Sequence, residues 1–336
     1  MPMKTQIKIC FTDFWSNFEK EDNLFLNLLR EEYEVVITED DPDLLFYSYF
    51  GNNFTRYNCK RIYFTGENVR PNFKECDFAF SFDLTGDNPD HYRLPLYALF
   101  DDVSKLTQAK NVKDIMAGHS KFCNFIYSNP NAKLRNNFFH KLSAYKKVDS
   151  GGRVLNNIGG RVDNKLDFVS DYKFTIAFEN ESHRGYTTEK IFEPMLVNSL
   201  PIYHGNPEVG RDFNTKSFLN YYDFESEDAL IEKIIELDQN DDLYAEYMSQ
   251  TWFAGNKPNK DVDNENIKTF LIQIASDKRI PVSASSPIFS KLFLIRKFSQ
   301  IAADGSYNIK NIFKKYILNF NFSKLIYRIR GLKVRA

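Results

Sequence analysis

The stretch that decides the fold is Tyr172-Lys-Phe-Thr-Ile-Ala-Phe-Glu-Asn-Glu-Ser-His-Arg-Gly-Tyr-Thr-Thr-Glu-Lys-Ile-Phe-Glu-Pro-Met-Leu196, continued by Pro201-Ile-Tyr-His-Gly-Asn-Pro-Glu-Val-Gly-Arg-Asp-Phe213. Phe174, Ile176 and Phe178 alternate with other residues, which predicts a strand from Tyr172 to Phe178. Glu179 to Gly185 is a polar loop. Thr187 or Thr188 is placed to cap a helix whose Ile191, Phe192, Met195 and Leu196 share one face. Leu200 to Tyr203 is the next strand, closed by a turn at Gly205 and Pro207. Strand, loop, helix and strand in this order are the repeating unit of a parallel α/β sheet.

The start of that helix carries a functional signal. Glu189 in the first turn complements the helix dipole, but Lys190 beside it sets a positive charge at the positive end. An anion bound there by free backbone N–H groups and the lysine together would compensate. A loop-to-helix junction at the C-terminal end of a parallel sheet is where a nucleotide pyrophosphate sits. The plainer alternative is a solvated lysine on an amphipathic helix.

Upstream, Ile7–Phe11, Val35–Thr38, Asp43–Tyr49, Arg61–Thr65 and Phe78–Phe82 read as strands, and Asn23 to Tyr33 as a helix carrying Leu24, Leu26, Leu28 and Leu29. A second α/β unit begins at Lys121–Tyr127. Its helix, about Ala132 to Ala144, has Arg135 near its start, and Asp149-Ser150-Gly151-Gly152 reads as a turn. Helices over 228–237 and 243–249 follow, and Asn266 to Ala275 is expected to close this unit. The expected organisation is residues 1–112, residues 113–277 and a tail, 278–336.

With 43% hydrophobic and 26% charged residues in 336, the chain is globular and has room for two domains. The 32 Phe and 19 Tyr accompany many Asn, Lys and Ile, a pattern that AT-rich coding explains without a function. Cys10, Cys59, Cys76 and Cys123 show no CxxC spacing and read as buried, reduced thiols. The N-terminus runs straight into a strand with no apolar leader, and no stretch reaches membrane-spanning length. The expectation is a cytoplasmic protein. Histidines 91, 119, 140, 183 and 204 form no metal-ligand spacing, Asp41-Pro42-Asp43 is better explained as a polar turn, and no P-loop is present. No metal and no cofactor are expected.

The net charge of −1 conceals an asymmetry. From Lys278 onward the tail has thirteen Lys/Arg and one acid, Asp304, leaving a body of −13 and a tail of +12. Its Ile, Leu, Phe and Tyr recur at near-helical spacing among these charges. That pattern suits an anionic membrane surface better than the alternatives, docking on the chain's own acidic body or nucleic-acid binding.

Phe178-Glu179-Asn180, then Tyr186-Thr-Thr-Glu-Lys-Ile191, then Pro201-Ile-Tyr203 with Gly205 and Pro207, resembles the signature of the family-10 glycosyltransferases, the α-1,3/1,4-fucosyltransferases, and bacterial members in particular. Ser128-Asn-Pro-Asn131 with Arg135, and Tyr63-Phe-Thr-Gly-Glu-Asn68, extend the likeness to roughly residues 5–275. Gly185 and Thr187 depart from the family's usual residues beside the tyrosine. The resemblance implies a GT-B fold of two Rossmann-like domains with a cleft between them, plus the basic amphipathic C-terminal tail.

It also implies roles. Glu67, otherwise one more exposed acid, matches the general base. Arg135 and Lys190 match a pyrophosphate clamp that removes the need for a metal. Asn180, Tyr186 and Glu189 complete the donor-binding set. The implied activity is inverting transfer of L-fucose from GDP-fucose to GlcNAc of an N-acetyllactosamine-type glycan or lipopolysaccharide chain, at the inner face of the cytoplasmic membrane. The alternatives are the same fold with another GDP-sugar, or a non-catalytic glycan- or nucleotide-binding protein at the membrane surface.

Overall fold

The computed structural model of the chain describes residues 4–100 and 102–285. Most of the basic tail, from 286 onward, lies outside the described residues, as does its predicted membrane contact. Residues up to Arg93 supply β1 (Gln6–Thr12), α1 (Leu24–Glu32), β2 (Glu34–Ile37), β3 (Leu44–Tyr47), β4 (Lys60–Phe64), β5 (Phe78–Ser81) and β6 (His91–Arg93). The six strands form one sheet in the order β2-β1-β3-β4-β5-β6, and every pair is parallel. All residues of β3, β4 and β5 are buried, the signature of strands covered on both faces. The three-residue β6 had no sequence reading, being too short to show a period.

The second sheet is built from β7 (Lys121–Phe125), β8 (Val148–Ser150), β9 (Tyr172–Phe178), β10 (Leu200–His204) and β11 (Leu219–Asn220). Its order is β11-β10-β9-β7-β8, again parallel throughout. The helices of this half are α2 (Val112–Gly118), α3 (Lys133–Tyr145), α4 (Lys165–Val169), α5 (Glu189–Leu196), α6 (Glu227–Gln239) and α7 (Asp241–Ser249). Asp149 and Ser150, expected in a turn, instead pair with Asn124 and Phe125 in β8, and the Gly-rich turn begins at Gly151.

The last long helix, α8 (Asn264–Ser276), is a correction to the expected organisation. It does not close the second half. Ile267, Phe270, Leu271 and Ile274 are buried in the same core as Phe78, Phe80 and α1, with the Phe270 ring 5.2 Å from Phe80 and 5.9 Å from Phe78. The stripe of apolar residues in α8 showed that it would be buried, but a periodicity says nothing about which sheet receives it.

Strands of each sheet end in step. Thr12 pairs with Tyr47 and Tyr47 with Tyr63, so the loops after β1, β3 and β4 leave from one edge, while β9 and β10 end together at Phe178 and His204. Candidate chemistry gathers at these C-terminal edges. The four cysteines are buried and unpaired.

Candidate functional site

Glu179, the residue after β9, is 2% exposed and organises the start of α5. Its Oε1 accepts hydrogen bonds from the Thr188 N–H at 2.8 Å and the Thr188 hydroxyl at 2.9 Å, and its Oε2 lies 3.1 Å from Lys190 Nζ. Gly205 makes this possible, since a Cβ there would come within 2.3 Å of Glu179 Cγ. Thr188 is the N-cap of α5, its hydroxyl accepting from the Lys190 N–H at 3.4 Å. Lys190 Nζ donates also to Thr188 Oγ1 at 2.9 Å and lies 3.4 Å from Glu189 Oε1.

The conflict between Lys190 and the helix dipole is thus met in part by the chain itself, through a buried carboxylate rather than by an external anion alone. Burial disfavours the ammonium, yet Glu179 and Glu189 hold Lys190 protonated well above its ordinary range. Burial likewise acts to raise the Glu189 carboxyl, but Lys190 and Lys165 outweigh it and leave it below its usual value. Nothing in the sequence marked Glu179 as the residue holding Lys190; a single Glu at a strand end has no pattern that tells burial from exposure.

Arg135, on α3, is 1% exposed, which removes the reading of a surface ion pair. Its guanidinium carbon lies 3.7 Å from the Tyr127 ring centroid, and its nitrogens donate to Asn129 O (2.8 Å), Asn180 Oδ1 (3.0 Å) and Phe178 O (3.3 Å). All of these partners are neutral, and its buried Nε has no hydrogen-bond acceptor among the described residues. Arg135, Asn180, Glu179 and His204 line a cleft of about 340 Å³, within the size range of small-ligand sites. Burial lowers the His204 imidazole to about 4, so it faces this cleft as a neutral ring.

The loop leading into α5 is clamped from below. Asn206 accepts from the Gly185 N–H at 2.8 Å and donates to Thr187 Oγ1 at 3.0 Å, while the Thr187 hydroxyl donates to Asp212 at 2.9 Å. Asp212 in turn receives Arg93 of β6, from the other sheet. Gly185 has φ +82°, and a Cβ on it would sit 2.5 Å from the carbonyl oxygen of Phe82. Its departure from the family's usual residue is therefore a local steric requirement. Tyr186 is 2% exposed, with its ring centroid 4.9 Å from that of Phe82.

Glu67 follows β4, its N–H bonded to Thr65 Oγ1 at 3.1 Å, with Gly66 pressed against Leu96. It is half-buried. Desolvation pushes its carboxyl up, Lys190 pulls it down, and Glu189 and Glu181 push it up again. Glu67 therefore feels the charges at the start of α5. Nearby, Asn68 hydrogen-bonds Glu181, and Arg70 contacts His183 and pairs with Asp83 at 3.0 Å. The structure thus brings Glu67 within electrostatic reach of Tyr186, Glu189 and Lys190 at the start of α5, while Arg135 and Asn180 line the cleft. Asp43 is elsewhere, accepting from the Lys8 N–H at 2.8 Å as a turn residue would.

Two parallel α/β sheets in one chain, with an Arg135-lined cleft at the C-terminal edge of the second, fit the GT-B architecture of sugar-nucleotide glycosyltransferases. Residues 9–100 match the family model of the alpha-(1,3)-fucosyltransferase FucT N-terminal domain, and residues 116–272 that of the glycosyltransferase family 10 (fucosyltransferase) C-terminal region. The chain belongs to glycosyltransferase family 10. It is 31% identical over 283 residues to the alpha-(1,3)-fucosyltransferase FucT of Helicobacter pylori, which covers 72% of this chain and 59% of that protein. The chain therefore spans about three-fifths of that relative's length. A shorter likeness, 40% over 84 residues, joins it to alpha-(1,3)-fucosyltransferase B of Drosophila melanogaster, covering 24% of this chain and 19% of that protein. A crystal structure of an alpha1,3-fucosyltransferase with GDP-fucose superposes with a TM-score of 0.71 at 28% identity, covering 83% of this chain and 94% of the other. The same comparison with a GDP-bound alpha1,3-fucosyltransferase also gives 0.71 and 28%, over 82% and 92%.

Proposed function

We propose that the chain is an inverting fucosyltransferase that moves L-fucose from GDP-fucose to a hydroxyl of a GlcNAc residue in an N-acetyllactosamine-type glycan or lipopolysaccharide chain. The observation that carries this reading is Arg135: a buried guanidinium on the wall of a ligand-sized cleft, bonded only to neutral groups. A buried cation of this kind calls for an anion, and the pyrophosphate of a sugar nucleotide meets Arg135 and Lys190 together. As the bond from the anomeric carbon to the β-phosphate oxygen breaks, negative charge grows on that oxygen, where the two cations and the N-terminus of α5 stabilise it.

Glu67 is the base. It takes the acceptor's hydroxyl proton as the oxygen attacks the anomeric carbon from the face opposite GDP, giving the inverted linkage. Such a base contributes roughly 10²–10⁴-fold. Glu189 receives ribose or fucose hydroxyls, Asn180 contacts the donor and steadies Arg135, and the Tyr186 hydroxyl reaches a phosphate or sugar oxygen. With the leaving group held by side-chain cations, the reaction proceeds without a metal. The basic tail would keep the enzyme on the inner face of the cytoplasmic membrane, beside a lipid-linked acceptor.

The test is GDP release from GDP-fucose and, in parallel, GDP-mannose, with N-acetyllactosamine as acceptor and EDTA present. Acceptor-dependent release from GDP-fucose alone is expected. Release from GDP-mannose instead would reassign the donor, and no release by folded, GDP-binding protein would turn the reading towards a binding protein. For the tail, truncation after Asp277 is expected to release the protein from anionic liposomes; equal liposome binding with and without it overturns the membrane placement.

A further inference from the structure

On the edge of the first sheet from which the Glu67 loop leaves, Trp15 and Phe50 form an aromatic face, Trp15 with one side against the core. Thr12, Tyr47 and Tyr63 form one row across β1, β3 and β4, so the loops that carry Trp15, Phe50 and Glu67 leave the sheet from the same edge. The Trp15 ring centroid is 6.3 Å from that of Phe64, at the end of β4, and 6.3 Å from that of Phe50. Phe50 is 45% exposed although Phe11, Phe46 and Phe64 already fill the core beneath. Adjacent strands are about 5 Å apart. The aromatic pair and the base therefore share one edge of the sheet, with Trp15 packed on Phe64, three residues before Glu67.

The support under this face is rigid. The Phe50 N–H donates to Asp13 O at 3.1 Å, and the Asp13 carboxylate accepts from the N–H groups of Asn53 (3.0 Å) and Phe54 (2.8 Å). Asp13 itself is held at φ 59°, and a Cβ on Gly51 would lie 2.1 Å from Asp13 Oδ1. The loops after β1 and β3 are thus fastened to each other through a conformation that costs energy, a feature common where a binding surface is prebuilt. The segments 12–18 and 47–53 contain no Lys or Arg, so the face offers nothing to an anionic group.

We propose that the Trp15–Phe50 face is an acceptor subsite for a neutral hexose or N-acetylhexosamine, whose C–H face stacks on the rings while its reacting hydroxyl reaches Glu67. Aromatic faces are electron-rich and attract the polarised C–H bonds of one side of a pyranose. This rests on the transferase reading, and its test is built to fail separately.

In the full chain, Phe50→Ala is expected to raise the KM for N-acetyllactosamine about tenfold while calorimetric GDP-fucose affinity stays as in the parent, and Phe50→Tyr to restore the KM. An acceptor KM within twofold of the parent in Phe50→Ala overturns the subsite. If the parent turns over no donor, the transferase reading fails and fluorescence decides the subsite. Of the two tryptophans Trp252 is 2% exposed, so acrylamide-quenchable emission reports Trp15. Saturable protection of that emission by N-acetyllactosamine, lost in Phe50→Ala, supports the subsite; no protection overturns it.

Discussion

The guanidinium of Arg93 meets both carboxylate oxygens of Asp212, at 2.8 and 2.9 Å, with both residues all but excluded from solvent. One belongs to the last strand of the first sheet and the other to the turn after β10, so this bidentate pair bolts the two halves together. Asp212 also accepts from Thr187 at 2.9 Å, which carries the connection to the N-cap of α5. Asp212→Asn keeps the shape but leaves Arg93, among the described residues, with the outlying Asp261, 3.1 Å away, as its carboxylate. Loss of about 3–5 kcal/mol is expected in urea unfolding, with weaker GDP binding in the protein that remains folded.

Glu67→Gln separates chemistry from folding. Burial raises the Glu67 carboxyl above its ordinary value, so the folded chain holds that proton more tightly than the unfolded one. The stability linked to this group is complete below the unfolded pKa and is lost as pH rises through the folded one. At pH 7 the ionised carboxylate therefore opposes folding. The variant is expected to melt no lower than the parent while turnover falls roughly 10²–10⁴-fold, with GDP binding retained. A fall in melting temperature together with normal turnover would exclude Glu67 as the base.

The same shift sets a pH profile. The acid limb of kcat/KM in the parent is expected above the ordinary glutamate value of about 4.3. The basic limb is not expected from Lys190, which stays charged throughout the working range. Steady-state rates from pH 4 to 9 check both.

Glu179→Gln tests the residue that holds Lys190. Glutamine fills the same space and can still accept from Thr188, but it leaves the lysine without its buried counter-charge. GDP affinity by calorimetry is expected to fall about ten- to a hundredfold, in line with the worth of a charged hydrogen bond. An unchanged affinity would mean that Lys190 is positioned by Thr188 and Glu189 alone.

Gly185→Ala places a methyl group against the Phe82 carbonyl in a left-handed conformation. The expected cost is about 1–3 kcal/mol in thermal unfolding. Gly118, at the end of α2 with open space around it, is the control, and Gly118→Ala should melt as the parent does.

How much of this was legible depended on whether a signal was local. The β9–α5–β10 unit could be read because its alternation, cap and turn lie within about forty residues, and the oddity of Lys190 could be seen beside Glu189. Arg135, Asn180 and Glu67 needed the family's motifs, since nothing near them in sequence marks them as functional. What escaped was long-range. Arg93 and Asp212 are 119 residues apart, and each alone looks like an ordinary charge. Glu179 stood inside a recognised motif without a role because its burial depends on Gly205, a neighbour only after β9 and β10 pair. The strands β6 and β8 are three residues long, too short to show any period.

The return of α8 to the first sheet has a consequence for synthesis. The face covered by Ile267, Phe270, Leu271 and Ile274 is made from the first hundred residues, yet its cover is among the last parts of the described fold to be translated. At about 5–20 residues per second, the ribosome needs roughly ten seconds or more to make the intervening stretch. Through that interval the first sheet waits with an oily flank bare, a natural client for a nascent-chain chaperone, and a ribosome stalled between β6 and α8 would strand it there.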